Sequence, residues 1–510
     1  MNHLLAQDDN SPQQFLDALE KYGGRITDLD QGTTLTGNQV RDGWKMLSRR
    51  FGESGLIPGD RVIVAVGNGP LFIAVWAAIL QRGGAPIPVH FETPPMELNR
   101  IACRCHAAHI VTDHHVETEM ELVESHACTL ECSSWGRVVW SAVYSNGRSP
   151  GADAELDFAG IPLHPTSGTT GDPKLAIRPI RTAIAEIDNY VNTFGIDADD
   201  TILGMTPMSH AFAHGFCAIA PVMTGANLAI MRKFRATLVS QACLEMKISL
   251  VATVAGVLDT MLFTGGAALK NSARKIFSGG GPLTTHTASQ FQRIIGIAPR
   301  PLYGTTETGG IAVGGEEELS LHGRVGAMLH GVTTRLDPLE STGTDSENLW
   351  NDQHERPLSR IHVQSRSLML GYLVNEAIDT TVFHDGWYNT GDLGYIEPDG
   401  ALHLHGREAE VINISGLKVL PREVEDVINS LQKVREVKVF GHKNRSGSYQ
   451  LRAAVVADGM TQEEIRAHCR EQLVYYKQPS MIIMVSSLPK NANGKVILSQ
   501  LTNLSQDDSP

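Results

Sequence analysis

The sequence predicts a large α/β N-terminal domain followed by a small α+β C-terminal domain. Three observations carry this reading. The chain has 510 residues, too many for one ordinary core. Strand-like and helix-like patterns alternate over the first four hundred residues, which implies βαβ units and largely parallel sheet. The last hundred residues carry a pattern of their own.

The elements follow in order. Residues 61–66 are a short apolar run, residues 71–81 read as a helix, and residues 85–89 are a second apolar run. A helix then precedes a short strand at 110–113. The pattern returns at 250–254, 275–278 and 301–303, with helical stretches between. Ser278-Gly279-Gly280-Gly281-Pro282 reads as a strand-end turn, where α/β folds place ligands. Residues 340–357 are charged and weakly apolar, and read as a loop or hairpin insertion without chemistry. Beyond 410, a helix fits 421–431, with Pro421 in its first turn. Strands fit 437–441 and 452–456, and a helix follows Thr461, with Glu463 and Glu464 in its first turn. Residues 505–510 read as a frayed tail.

Composition narrows the function. Hydrophobic residues make up 42% and charged residues 19%, as in globular proteins. The apolar stretch 71–80 is broken by Gln81 and Arg82 and is too short to span a bilayer. Residues 1–12 are polar, with Asp8 and Asp9, and do not form a secretory signal. A cytoplasmic enzyme is the expectation. A net charge of −13 argues against a nucleic-acid partner, and any anionic substrate needs a locally positive site. Seven cysteines, an odd count, fit a reducing compartment. Cys103, Cys105 and His106, with His109, His114 and His115 nearby, lack the paired spacing of a zinc site.

The densest chemical signal is T-S-G-T-T-G-D-P-K, Thr166 to Lys174. Glycines let backbone N–H groups turn toward an anion. Ser167, Thr169 and Thr170 add hydroxyls, and Lys174 adds a point charge. Such a loop suits the β- and γ-phosphates of a nucleotide, although it is not a Walker loop. On its own it reads equally as a polar surface turn. Downstream come Y-G-T-T-E (303–307), Y-N-T-G-D-L-G (388–394), G-R-E-A-E (406–410), S-G-L-K-V-L-P-R-E-V-E (415–425) and N-A-N-G-K (491–495). In this order and spacing, from about residue 35 to 501, the chain resembles the acyl-adenylating superfamily, closest in type to acyl- and aryl-CoA ligases.

The resemblance implies ATP, Mg²⁺ and coenzyme A as cofactors and co-substrate, with a small carboxylic acid as substrate. It also implies a smaller β subdomain within the N-terminal domain (1–406), a hinge linker (407–410) at Ala409, and a mobile C-terminal domain (411–510). Thr166, Ser167, Gly168, Thr169, Thr170, Gly171 and Lys174 would hold phosphates. Gly280, Tyr303, Gly304, Thr305 and Thr306 would meet the nucleotide, Tyr303 stacking on adenine and Thr306 meeting the α-phosphate. Glu307 would hold Mg²⁺, as a hard carboxylate should. Asp392 would take the ribose hydroxyls, and Arg407 the ribose or phosphate. Lys495 would be the catalytic lysine. His210 would stand at the carboxylate end of an acyl pocket lined by Phe212, Gly279, Gly280 and Gly281, with His214 structural. Ser415, Gly416 and Leu417 would line the thiol channel.

No Asp lies between Thr206 and Phe216, which argues against an α-amino acid substrate. Leu175 stands where the family commonly has Gly, and Ala409 where it usually has a charged hinge residue. The acceptor is read as coenzyme A, with a carrier-protein phosphopantetheine or closure to a β-lactone as alternatives. Luciferase-like oxidation and a regulator without catalysis fit less well. A monomer or a homodimer is expected.

Overall fold

The computed structural model describes residues 10–113, 127–132, 135–143, 158–166, 174–264, 266–315, 323–339, 358–414, 417–443, 449–490, 496–498 and 500–501. One long sheet organises the N-terminal part. Its parallel half runs in the order Arg300–Thr305, Lys275–Ser278, Leu250–Thr253, Thr201–Gly204, Asn227–Ile230 and Arg25–Asp28, closed by the antiparallel edge Thr33–Thr36. All four positions of Leu250–Thr253 and of Thr201–Gly204 are buried, as strands covered on both faces require.

At Arg300–Thr305 the sheet changes character. It continues antiparallel through Gly309–Val313, Arg324–Met328, Leu402–Arg407, Trp387–Ile396, Ser359–Ser365 and Val332–Pro338. A register shift at Tyr303/Gly304 marks the switch. Gly304 is required there, because a Cβ would lie 2.2 Å from the Gly309 carbonyl oxygen. The parallel strands end at this switch, and the residues of Y-G-T-T-E are placed on it.

A second sheet holds Ala85–Pro88, Arg61–Ala65 and His109–Thr112 in parallel, extended by the antiparallel pair Gly136–Ala142 and Ala127–Cys132. The helix Pro70–Gln81 crosses between its first strands and is buried from Phe72 to Leu80, so it is packed on all sides. Helix Gly37–Glu53 packs on it and is nucleated by a Thr36–Gln39 capping box. A small third sheet pairs Leu163–Pro165 with Leu175–Ile177, then Tyr372–Val374 and Ala377–Asp379.

The C-terminal part is α+β. The hairpin Ile412–Ile414/Leu417–Val419 leads to helix Pro421–Asn429, and the strands Val434–Lys443, Tyr449–Ala457 and Met481–Met484 form its sheet, with helix Gln462–Gln472 beside them. Val424, Ile428, Val439, Val455 and Ile465 form its core. Leu420 packs separately on Leu358 and Leu393 of the antiparallel sheet.

The boundaries differ from the sequence reading in detail. The helix predicted for 421–431 ends at Asn429. The strands predicted for 437–441 and 452–456 run longer, because their polar ends pair across the hairpin from Lys443↔Tyr449 to Val434↔Ala457. The segment 340–357 lies outside the described residues, but the strands beside it pair antiparallel. The tail 505–510 also lies outside them. Among the described residues, no helix is long and apolar enough to cross a membrane.

Candidate active site

The glycine-rich loop is held at both ends. Its flanking strands form an antiparallel hairpin, and Thr166 N–H donates to the Lys174 carbonyl at 2.8 Å. Ser167, Gly168, Thr169, Thr170 and Gly171 lie outside the described residues. Thr166 and Lys174 line a cavity of about 640 Å³. Ser209, His210, Ala211 and Thr306 line the same cavity, so segments about 140 residues apart in sequence converge there. His90, Arg104 and His106 also line it.

Tyr303, Asp392 and Arg407 form a tight group. Asp392 lies within the strand Trp387–Ile396, in register with Arg407 on the neighbouring strand. The Tyr303 hydroxyl donates to Asp392 Oδ2 at 2.6 Å, and Arg407 Nε stands 3.3 Å from Oδ1. Asp392 is buried, which pushes its carboxyl above the usual range, while Arg407 and the Tyr303 hydroxyl oppose that push. Burial pulls the Arg407 guanidinium down, but Asp392 and the other acidic neighbours more than restore it, so its proton is held more tightly than usual. A carboxylate fixed by one phenol and one guanidinium is preorganised to accept hydroxyl donors.

Glu307 is buried in the turn after Arg300–Thr305. Its N–H donates to Thr305 Oγ1 at 3.2 Å, and Oε1 accepts from the Tyr372 hydroxyl at 2.6 Å. Among the described residues, Oε2 carries no hydrogen bond and no ion pair reaches it. An acidic oxygen left open in a buried site fits a hard divalent cation. Among the described residues, no group of three or more His, Cys, Asp or Glu is assembled to hold a metal. That suits Mg²⁺, which takes one or two carboxylates and completes its shell with phosphates and water. His106, beside the two cysteines, pairs instead with Glu376 at 2.9 Å.

His210 immediately precedes the short helix Ala211–Ala213. His214 sits one turn on, in a π-helical turn, buried against Trp76 with ring centroids 4.3 Å apart. Phe212 lies across Gly279, where a Cβ would stand 2.9 Å from its ring. Gly280 adopts a left-handed φ of +75°, and among the described residues nothing lies within 4 Å of a Cβ at Gly281. The turn therefore needs two of its three glycines, one for contact and one for backbone shape.

Ala409 is exposed in a 3₁₀ turn, Glu408–Glu410. The carboxylates beside it reach opposite ways. Glu408 is gripped by Arg360 of the antiparallel sheet at 2.7 Å, and Glu410 lies 3.9 Å from Lys438 of the C-terminal sheet. Leu417 opens the second strand of the C-terminal hairpin; Ser415 and Gly416, at its tip, lie outside the described residues. Lys495 lies outside them too, but the chain on either side is paired, Lys490 bridging Val496.

Three features beside the site carry no mark in the sequence. His164 lines the cavity two residues before Thr166. Arg178, Glu186 and Tyr190 form a buried network under the Glu307 turn, with Arg178 Nη2 to Glu186 Oε2 at 2.9 Å and the Tyr190 hydroxyl to Oε1 at 2.6 Å. Tyr372 touches Glu307 directly. Each reads as ordinary core or strand in sequence, and only the fold brings them to the site.

The AMP-binding enzyme family model matches residues 15–373, and the AMP-binding enzyme C-terminal domain matches 423–495. The chain belongs to the AMP-binding enzyme family. A 2-succinylbenzoate–CoA ligase from Bacillus licheniformis is 30% identical over 353 residues, covering 68% of this chain and 70% of that one. A 4-coumarate–CoA ligase from Oryza sativa subsp. japonica is 25% identical over 500 residues, covering 93% and 88%. Among solved structures, ATP-bound MatB from Rhodopseudomonas palustris superposes with a TM-score of 0.78 at 20% identity, covering 98% of this chain and 99% of that one. The o-succinylbenzoate CoA synthetase of Bacillus subtilis with its acyl-adenylate intermediate gives 0.77 at 20% identity, covering 96% and 97%.

Proposed function

We propose that the chain is an AMP-forming acid–thiol ligase that activates a small carboxylic acid with ATP and passes the acyl group to coenzyme A. The observation that carries this reading is the single cavity into which Thr166, Lys174, His210 and Thr306 all face. An oxide is too poor a leaving group for a thiol to displace from a free carboxylate, so activation must come first. A carboxylate oxygen attacks the α-phosphorus, and pyrophosphate leaves. Charge builds on the phosphoryl oxygens, and the site must meet it with fixed donors and cations.

Lys174 and the hydroxyl-rich loop fit the β- and γ-phosphates. Asp392, fixed by Tyr303 and Arg407, fits the ribose hydroxyls. Glu307 fits Mg²⁺, which supplies charge neutralisation at the phosphates when bound. Thr306 and His210 fit the reacting carboxylate and α-phosphate, with Phe212 and Gly279 to Gly281 beside the acyl group. Lys495 fits the cation that bridges carboxylate and α-phosphate. In the second step the thiol sulfur attacks the acyl carbon, AMP leaves, and the thiol proton goes to water. For that step residues 411–510 turn about the linker 407–410, which brings Ser415, Gly416 and Leu417 toward the thiol.

The test is pyrophosphate release across a panel of carboxylic acids, with and without coenzyme A. The expected result is pyrophosphate release with the right acid, and free AMP and an acyl thioester in equal amounts only when the thiol is present. An acyl-adenylate that reacts with a phosphopantetheine-loaded carrier protein and not with coenzyme A would reassign the acceptor. ADP and phosphate as products would refute the proposal.

A further inference from the structure

Tyr372 touches two charged groups, Glu307 and Lys174. Its hydroxyl donates to Glu307 Oε1 at 2.6 Å, and the Lys174 ammonium stands 4.9 Å from its ring centroid. Tyr372 packs with Tyr388, Met369 and Ala176 in one buried cluster. A phenol carries one proton. Among the described residues, the Tyr372 hydroxyl has Glu307 as its hydrogen-bond acceptor, so its proton points there. A glutamate carboxylate otherwise rotates freely about its last torsion. Here one oxygen is pinned, and Oε2 carries no hydrogen bond among the described residues.

The segment leading to Tyr372 reinforces this. Met369 N–H donates to the Glu307 carbonyl at 2.8 Å, so one short stretch fixes both the backbone and the side chain of Glu307. Gly371 makes the turn between them at a φ of +152°, and a Cβ there would meet the Asp379 carbonyl oxygen at 2.7 Å. Tyr372 is buried and paired with Ala176 on the hairpin that carries Lys174.

We propose that Tyr372 is a positioning residue for the metal–triphosphate complex, its hydroxyl aiming Glu307 at the cation and its ring face seating Lys174 for the phosphates. This rests on the assignment of Glu307 to Mg²⁺ and of Lys174 to phosphate. The two halves of the residue act separately. The hydroxyl sets metal affinity, and the ring sets metal-free nucleotide affinity.

The experiment measures Mn²⁺ binding by electron paramagnetic resonance on the full chain with α,β-methylene-ATP, which cannot release pyrophosphate. Binding of the same nucleotide in EDTA is measured by calorimetry. Tyr372→Phe should weaken Mn²⁺ about tenfold, the usual effect of removing a hydrogen bond to a metal-holding carboxylate, and leave metal-free nucleotide binding unchanged. Tyr372→Leu should weaken both. If Tyr372→Phe does not fold, Tyr372→Leu decides the matter, and an unchanged Mn²⁺ affinity in it would overturn the inference. Equal losses with and without metal would reduce Tyr372 to packing and overturn the inference. Glu307→Gln separates the two layers. If it weakens Mn²⁺ while Tyr372→Phe binds like wild type, the inference fails and the metal assignment stands. If neither changes Mn²⁺ binding, the assignment of Glu307 fails and takes the inference with it.

Discussion

Acid should destabilise this protein through His214, by an amount that follows from its surroundings. The ring is 3% exposed, 4.3 Å from the Trp76 ring, 5.1 Å from the His164 ring and 5.9 Å from the Phe72 ring. Among the described residues, its buried Nδ1 has no hydrogen-bond partner. A proton would put a cation in an aromatic box already near Arg178. Burial first, and Arg178 second, lower its pKa from 6.5 to about 3. The unfolded chain binds the proton below about pH 6.5 and the folded chain only below about 3. Stability is therefore full above 6.5 and falls as pH drops through that window. From pH 6.5 to 5 the loss is about 1.5 pKa units, or roughly 2 kcal/mol. His164, lowered by burial and by its neighbours His214 and Arg178, adds in the same direction. His214→Phe, which suits the apolar box, should remove most of the His214 contribution. Urea unfolding of both proteins at pH 7 and pH 5 measures it. Wild type should lose roughly 2 kcal/mol more than the variant on acidification. Equal losses would mean that His214 takes a proton in the folded state, and the reasoning from burial would be wrong.

The other predictions address the site and its support. Lys495→Ala should lower adenylation by a factor equivalent to about 2–4 kcal/mol, the scale of one preorganised charged donor, while thioester formation from supplied acyl-adenylate survives much better; equal falls in both half-reactions would remove the assigned role. Ala409→Pro restricts the backbone between Glu408, held by Arg360, and Glu410, near Lys438. Single-turnover assays should find adenylation intact and thiol transfer reduced more than tenfold; wild-type rates in both would show that the linker is not the hinge. Glu186→Gln leaves the buried Arg178 guanidinium without its counter-charge, and urea unfolding should show a loss of about 3–5 kcal/mol; a loss under 1 kcal/mol would show that the pair contributes little.

The sequence by itself determined the α/β-then-α+β order, because alternation of apolar runs and helix periodicity is a local property. It also marked the hydroxyl–glycine loop, since glycine and threonine in that density have few other uses. Strand ends at Lys275–Ser278 and the turn after Arg300–Thr305 were legible for the same reason. The antiparallel half of the main sheet was not, because its strands pair with partners far away in the chain, as Arg324 does with His403. The aiming of Glu307 was also not legible. Tyr372 is 65 residues away and has no motif of its own. Nor could sequence tell that Asp392 lies within a strand, in register with Arg407 on its neighbour. Motifs name the groups that do chemistry because composition and spacing are written along the chain. What aims those groups is a set of contacts across sheets, and only the tertiary structure decides which oxygen is pinned and which is left open.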